Sequence, residues 1–178
     1  MHNDLKKILI DKDKLQNRIM ELGKEISKDY KGKDLLVICV LKGGVLFMSD
    51  LVQNIDIPLE MDFMAVSSYG NSTHSSGVVR IIKDLDASIE NKDLLIVEDI
   101  VDSGLTLSYL MDLLKSRGIK SIKVCSLLEK PENKVSNVNV DYIGFQVPDE
   151  FVVGYGLDYA QKYRNLPYIG VLKEDIYK

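Results

Sequence analysis

The sequence predicts an α/β fold, with a central, mostly parallel sheet flanked by helices. Two observations carry this. Several runs are apolar on consecutive positions, among them LLVICV (35–40), LLIVED (94–99) and IKVCSLL (122–128). Such runs suit strands buried on both faces of a parallel sheet. Two of them lead through a glycine-containing turn into a helical pattern: LLVICV-LKGG-VLFMSDLVQNI and LLIVED-IVDSG-LTLSYLMDLLKSRG. Strands alternating with helices build a parallel sheet. Ligands of such sheets bind at the carboxyl ends of the strands, where both glycine turns fall.

Residues 11–29 place Leu15, Ile19, Leu22 and Ile26 four, three and four apart, which is one apolar stripe of a helix. Further strands are expected at LEMDFMAV (59–66), VVRII (78–82), DYIGFQV (141–147), FVVGY (151–155) and YIGVL (168–172). Gly118 reads as the C′ stop of the second turn's helix. No linker, repeat or low-complexity tract divides the 178 residues, so a single domain over 1–178 is expected.

Composition narrows the function classes. Hydrophobic residues make up 46% and charged residues 28%, which excludes a disordered or collagen-like chain. The net charge of −4 and the absence of a basic cluster argue against a nucleic-acid partner. Two cysteines, Cys39 and Cys125, sit in apolar runs and read as buried thiols. With two histidines and no CxxC, no zinc cluster can be assembled. The first residues, MHNDLKKILIDKDK, lack the pattern of a signal peptide. No run approaches the ~18 apolar residues of a membrane span. A cytoplasmic protein without a membrane partner is expected.

The chemistry concentrates in VEDIVDSGLTL (97–107). A buried strand ends in Glu98 and Asp99, followed by Asp102, Ser103, Gly104, Leu105 and Thr106 at the start of a helix. Hydroxyls and free N–H groups at a helix N-terminus make an anion nest suited to a phosphate monoester. Gly104 removes the Cβ that would block close approach. The acids need another partner, either sugar hydroxyls or Mg²⁺. Phosphate beside polyhydroxyl describes a ribose 5-phosphate. The plainer reading is a helix cap at Asp102 or Ser103 and a solvated strand end.

Four other stretches carry weaker signals. VLKGGVLF (40–47) is a tight turn with one lysine, Lys42, either solvated or aimed at a second anion. SSYGNSTHSSGVV (67–79) is a long polar segment, a surface hairpin or a lid, with His74 as an exposed loop residue. In LLEKPE (127–132), Lys130 directly follows a strand; in residues 148–172, Phe151 begins one.

Residues 97–107 resemble the 5-phosphoribosyl pyrophosphate (PRPP) motif of the type I phosphoribosyltransferases. The LKGG turn resembles the pyrophosphate loop of the hypoxanthine-guanine members, and FVVGY-GLDYA-x-x-Y-R-N-LP is similar to their closing segment. The likeness runs from about residue 8 to 172, and implies that family's fold with a small hood formed by the chain termini. It implies PRPP contacts by Lys42, Gly43, Glu98, Asp99, Ser103, Gly104, Leu105, Thr106 and Arg164, and a cis peptide before Lys42. It also implies purine contacts by Lys130, Phe151, Val152 and Asp158, and Mg²⁺ near Glu98, Asp99 and Asp158. Ser68 and Tyr69 would lead a mobile loop closing over the site. Leu105 departs from relatives that carry a basic residue there.

The resemblance further implies transfer of the 5-phosphoribosyl group to N9 of hypoxanthine or guanine, giving IMP or GMP and pyrophosphate, with Asp102 as general base. A homodimer or homotetramer is expected from the family. A xanthine-preferring enzyme and a PRPP-sensing regulator of the same fold remain open.

Overall fold

The computed structural model describes residues 1–68 and 79–178. Strand β1 (Leu5–Ile10) leads into helix α1 (Lys12–Asp29). The Asp11 side chain caps α1 by accepting from the Lys14 amide at 2.9 Å. The predicted stripe is buried as expected: Leu15, Ile19, Leu22 and Ile26 are all fully inaccessible.

Strand β2 (Leu35–Leu41) is followed by α2 (Val45–Val52), β3 (Leu59–Ser68) and β4 (Val79–Lys83). Then come β5 (Asp93–Val101), α3 (Leu105–Lys115), β6 (Ser121–Glu129) and β7 (Tyr142–Gln146). These strands form a six-stranded sheet in the order β4-β3-β2-β5-β6-β7. All its pairings are parallel except β3 with β4.

The sheet separates two cores. Val37, Cys39, Leu95 and Val97 point into the cluster under α1 and α2. Their neighbours Leu36, Ile38, Leu94 and Ile96 point into the cluster under α3. Consecutive apolar residues in β2 and β5 therefore serve opposite faces, which is the physical origin of the runs in the sequence. Both cysteines are buried free thiols, and burial pushes the Cys39 thiol up to about 12.

Three details differ from the sequence reading. The chain termini build a second sheet, β1-β9-β8, from β1, β8 (Val152–Val153) and β9 (Ile169–Leu172), and a short helix α4 (Glu174–Tyr177) follows. This is the hood that the resemblance implied, and β1 had no strand pattern of its own. FVVGY contributes only two residues to a strand, because Gly154 takes φ +103 and turns the chain away. Helix α3 stops at Lys115 with Ser116 as its cap, so Gly118 is not C′; at φ +75 it turns the chain toward β6.

Among the described residues no helix is long and apolar enough to cross a membrane.

Candidate active site

The carboxyl ends of β2, β5, β6 and β7 lie along one edge of the sheet, and the residues singled out in the sequence leave the sheet there. Glu98 is 8% exposed and Asp99 half-buried near the end of β5. Side chains of successive strand residues point to opposite faces, and here that divides the two acids. Glu98 lines a cavity of about 190 Å³ with Asp102, Ser103, Gly104 and Thr106. Asp99 instead packs against the LKGG turn: a Cβ built on Gly43 would meet Asp99 Oδ2 at 1.6 Å.

The turn after β5 is shaped by Gly104. It takes φ +76, the left-handed region, as the residue before α3. Ser103 and not Asp102 braces the turn. Its Oγ accepts from the Leu105 amide at 3.4 Å, and its carbonyl accepts from the amides of Val135 and Ser136 at 3.1 and 3.2 Å. The first-turn amides of α3 have no intrahelical acceptor and carry the positive end of the helix dipole. The cavity thus joins anion donors to the Glu98 carboxyl, while Asp102 stands exposed at its rim.

A second group forms around the LKGG turn. The Leu41–Lys42 peptide is cis, as the resemblance implied. Gly43 is wedged between Asp99 and the hood: a Cβ on Gly156 would meet the Gly43 carbonyl oxygen at 2.0 Å. Arg164 donates to the Gly156 carbonyl at 2.7 Å and pairs with Asp158 Oδ1 at 2.8 Å. The Gln161 side-chain oxygen accepts from Lys42 Nζ and from Arg164 Nη2, each at 3.4 Å. Two cations therefore converge on one side-chain oxygen, and one of them also pairs with Asp158.

Burial governs the acids. It pushes the Glu98 carboxyl well above the usual carboxylate range, and the charge of Asp99 adds to that. Burial pushes Asp99 up to about 6, against the opposing pull of its backbone hydrogen bonds and Arg164. Buried carboxylates of this kind would gain from a cation. Among the described residues, however, no group of three or more His, Cys, Asp or Glu side chains is placed to hold a metal ion. Glu98, Asp99 and Asp158 do not form a cage, so a magnesium ion here would need oxygens from elsewhere, as that ion accepts.

The third group faces the end of β6. Lys130 is 8% exposed and its ammonium sits 3.1 Å from Asp149 Oδ1, which also accepts from Asn133 Nδ2 at 2.8 Å. Phe151 is exposed and Val152 buried in β8, where it pairs with Val171. The sequence reading missed Asp149 as the partner of Lys130. Its only signal is an acid in the PDE triplet, and nothing local links it to a lysine 19 residues earlier. Tyr69 and the segment it leads lie outside the described residues, and Ser68 closes β3.

Comparison with known proteins places the chain among related sequences and structures. The phosphoribosyl transferase domain family matches residues 9–160. A hypoxanthine-guanine phosphoribosyltransferase of Bacillus subtilis is 57% identical over 178 residues, covering 100% of this chain and 99% of the relative. A bifunctional protein TilS/HprT of Listeria monocytogenes is 60% identical over 177 residues, 99% of this chain, but this chain spans only 27% of that protein's length. The crystal structure of a hypoxanthine phosphoribosyltransferase from Staphylococcus aureus superposes with a TM-score of 0.98 at 52% identity, covering 100% of this chain and 97% of the other. The chain belongs to the phosphoribosyltransferase family.

Proposed function

From that membership we propose that the chain, acting as one phosphoribosyltransferase domain, transfers the 5-phosphoribosyl group of PRPP to N9 of hypoxanthine or guanine. The products are IMP or GMP and pyrophosphate. The observation that carries the reading is the single edge where the free amides of a helix start, the buried Glu98 and half-buried Asp99 carboxyls, two cations and a buried lysine meet.

The 5′-phosphate would sit in the cavity, held by Ser103, Gly104, Leu105 and Thr106 through hydroxyls and backbone amides. Leu105 lends only its amide. Glu98 and Asp99 would accept hydrogen bonds from the ribose hydroxyls. Their negative charge also favours the cation that develops on the ribose as its bond to pyrophosphate breaks. Lys42, Gly43 and Arg164 take the pyrophosphate, with the guanidinium fork matched to two oxygens at once. Before ligand arrives, Arg164 is held in place by Asp158 and the Gly156 carbonyl. Mg²⁺ would be held near Asp99 and Asp158, with Glu98 close by, and would supply charge neutralisation on the leaving pyrophosphate.

Lys130 is all donor and no acceptor. Asp149 fixes its ammonium in place, and a group that only donates suits a 6-oxo group and is mismatched to the 6-amino group of adenine. Phe151 stacks on the base and the Val152 backbone reads its edge. Asp102, exposed at the rim of the cavity, takes the N7 proton as N9 attacks the ribose carbon.

The test is to supply PRPP, hypoxanthine and Mg²⁺ and to follow IMP and pyrophosphate together. Equal yields of the two, abolished by chelator, are expected. Neither product appearing, with PRPP still bound, would move the weight to a regulator of the same fold.

A further inference from the structure

Phe151 does not stand alone. The Tyr177 ring lies over it with centroids 4.7 Å apart and planes inclined by only 23°. The Tyr159 ring meets it at 5.6 Å and 88°, edge to face. After both contacts Phe151 is still 37% exposed. Tyr177 covers one face of the ring, and more than a third of the residue is still open to solvent.

The segment that carries Tyr177 is tied to the segment that carries Phe151. The Leu172 amide donates to the Phe151 carbonyl at 2.8 Å. Five residues later the chain has passed through Lys173 into α4. Lys173 pins that passage, its amide donating to the Asp4 carbonyl at 3.0 Å and its Nζ to the Asn3 carbonyl at 2.6 Å. Ile176 and Tyr177 pack on the hood cluster of Val153, Tyr163, Leu166 and Leu172. Tyr177 is therefore a fixed wall rather than a loose end. An exposed phenylalanine otherwise rotates, and a ligand that stacks on it must first halt that rotation.

We propose that Tyr177 is a positioning residue for the purine: it backs the Phe151 ring so that the open surface of that ring is already set when the base arrives. The proposal rests on the reading of Phe151 as the base-stacking residue. Tyr177 itself touches no reacting atom. The ring, not its hydroxyl, does this, since offset stacking comes from the aromatic faces.

The test compares Tyr177→Ala, Tyr177→Phe and Tyr177→Leu in steady-state turnover of hypoxanthine with PRPP, with calorimetric binding of IMP as a second readout. Tyr177→Ala should raise KM for hypoxanthine about three- to tenfold, the range of one aromatic stack, with kcat and KM for PRPP within twofold. Tyr177→Phe should restore the purine KM, while Tyr177→Leu, which fills space without stacking, should not. The IMP affinity should fall in step with the hypoxanthine KM.

An unchanged purine KM in Tyr177→Ala, or an equal rise in KM for PRPP, would overturn the proposal. So would a fall in purine KM, the mark of a tail competing with the base. These outcomes are read on a wild-type protein that turns over. Absence of turnover in the wild type would instead remove the parent reading, and the proposal with it.

Discussion

The start of α3 and the proposed purine wall are built in opposite ways. The first is a backbone device, in which a glycine at φ +76 leads into the free amides of one helical turn, all contiguous in the chain. The second is assembled from side chains far apart in the chain: Lys130 after β6, Asp149 after β7, and Phe151 at the foot of the hood. A backbone site tolerates changes of side chain that keep the turn. A side-chain wall depends on partners that hold each group in place, and its specificity can be lost one contact at a time.

Several substitutions would break or sharpen this contrast. The largest effect is expected where the two regions meet. Asp102→Asn should lower kcat by roughly 10²–10⁴-fold while PRPP binding is kept, since the turn is braced by Ser103. A kcat near that of the wild type would remove Asp102 from proton transfer.

Lys130→Ala should raise the purine KM about tenfold or more, the scale of a lost charge-assisted hydrogen bond, and leave KM for PRPP almost unchanged. Asp149→Asn should move the same constant in the same direction by less. A matching loss for PRPP would show that the wall and the turn are not separable.

Gly104→Ala attacks the turn itself. Its Cβ would meet Ser136 Oγ at 2.1 Å in a left-handed conformation. A destabilisation of about 1–3 kcal/mol is expected in chemical unfolding, with KM for PRPP raised and purine recognition spared. Unfolding at wild-type denaturant concentrations would contradict this account of the turn.

The smallest effect concerns pH. Asp99 is raised to about 6 by burial. Between its unfolded value near 4 and about 6 the folded state holds the proton that the unfolded state has lost. This group's contribution to stability therefore declines as pH rises through that window. In the ligand-free protein Asp99→Asn should accordingly melt higher than the wild type at pH 8, and the difference should fade toward pH 4. A gap of constant size across that range would contradict a raised Asp99.

The contrast also explains what the sequence made legible. The parallel core was readable because β2 and β5 bury alternate residues in two different clusters, which forces consecutive apolar positions. The turn at 102–106 was readable because its glycine, hydroxyls and acids are contiguous. β1 was not: LKKILI leaves Lys6, Lys7 and Ile8 exposed, buries only Ile10 fully, and pairs with β9 through irregular register, so no period of two survives. Asp149 and Tyr177 were hidden for another reason. Each owes its place to a residue 19 or more positions away, and no spacing rule reaches that far. The division of Glu98 from Asp99 follows from strand geometry, yet which acid faces the cavity at the start of α3 was decided by packing against Gly43.

The most direct measurement is nucleotide formation from PRPP and Mg²⁺ with hypoxanthine, guanine, xanthine and adenine run in parallel. The account predicts turnover of hypoxanthine and guanine and none of adenine, because the buried Lys130 ammonium offers only donors. Adenine turned over as fast as hypoxanthine would leave the turn at Gly104 intact as a PRPP site and contradict the wall as a reader of 6-oxopurines.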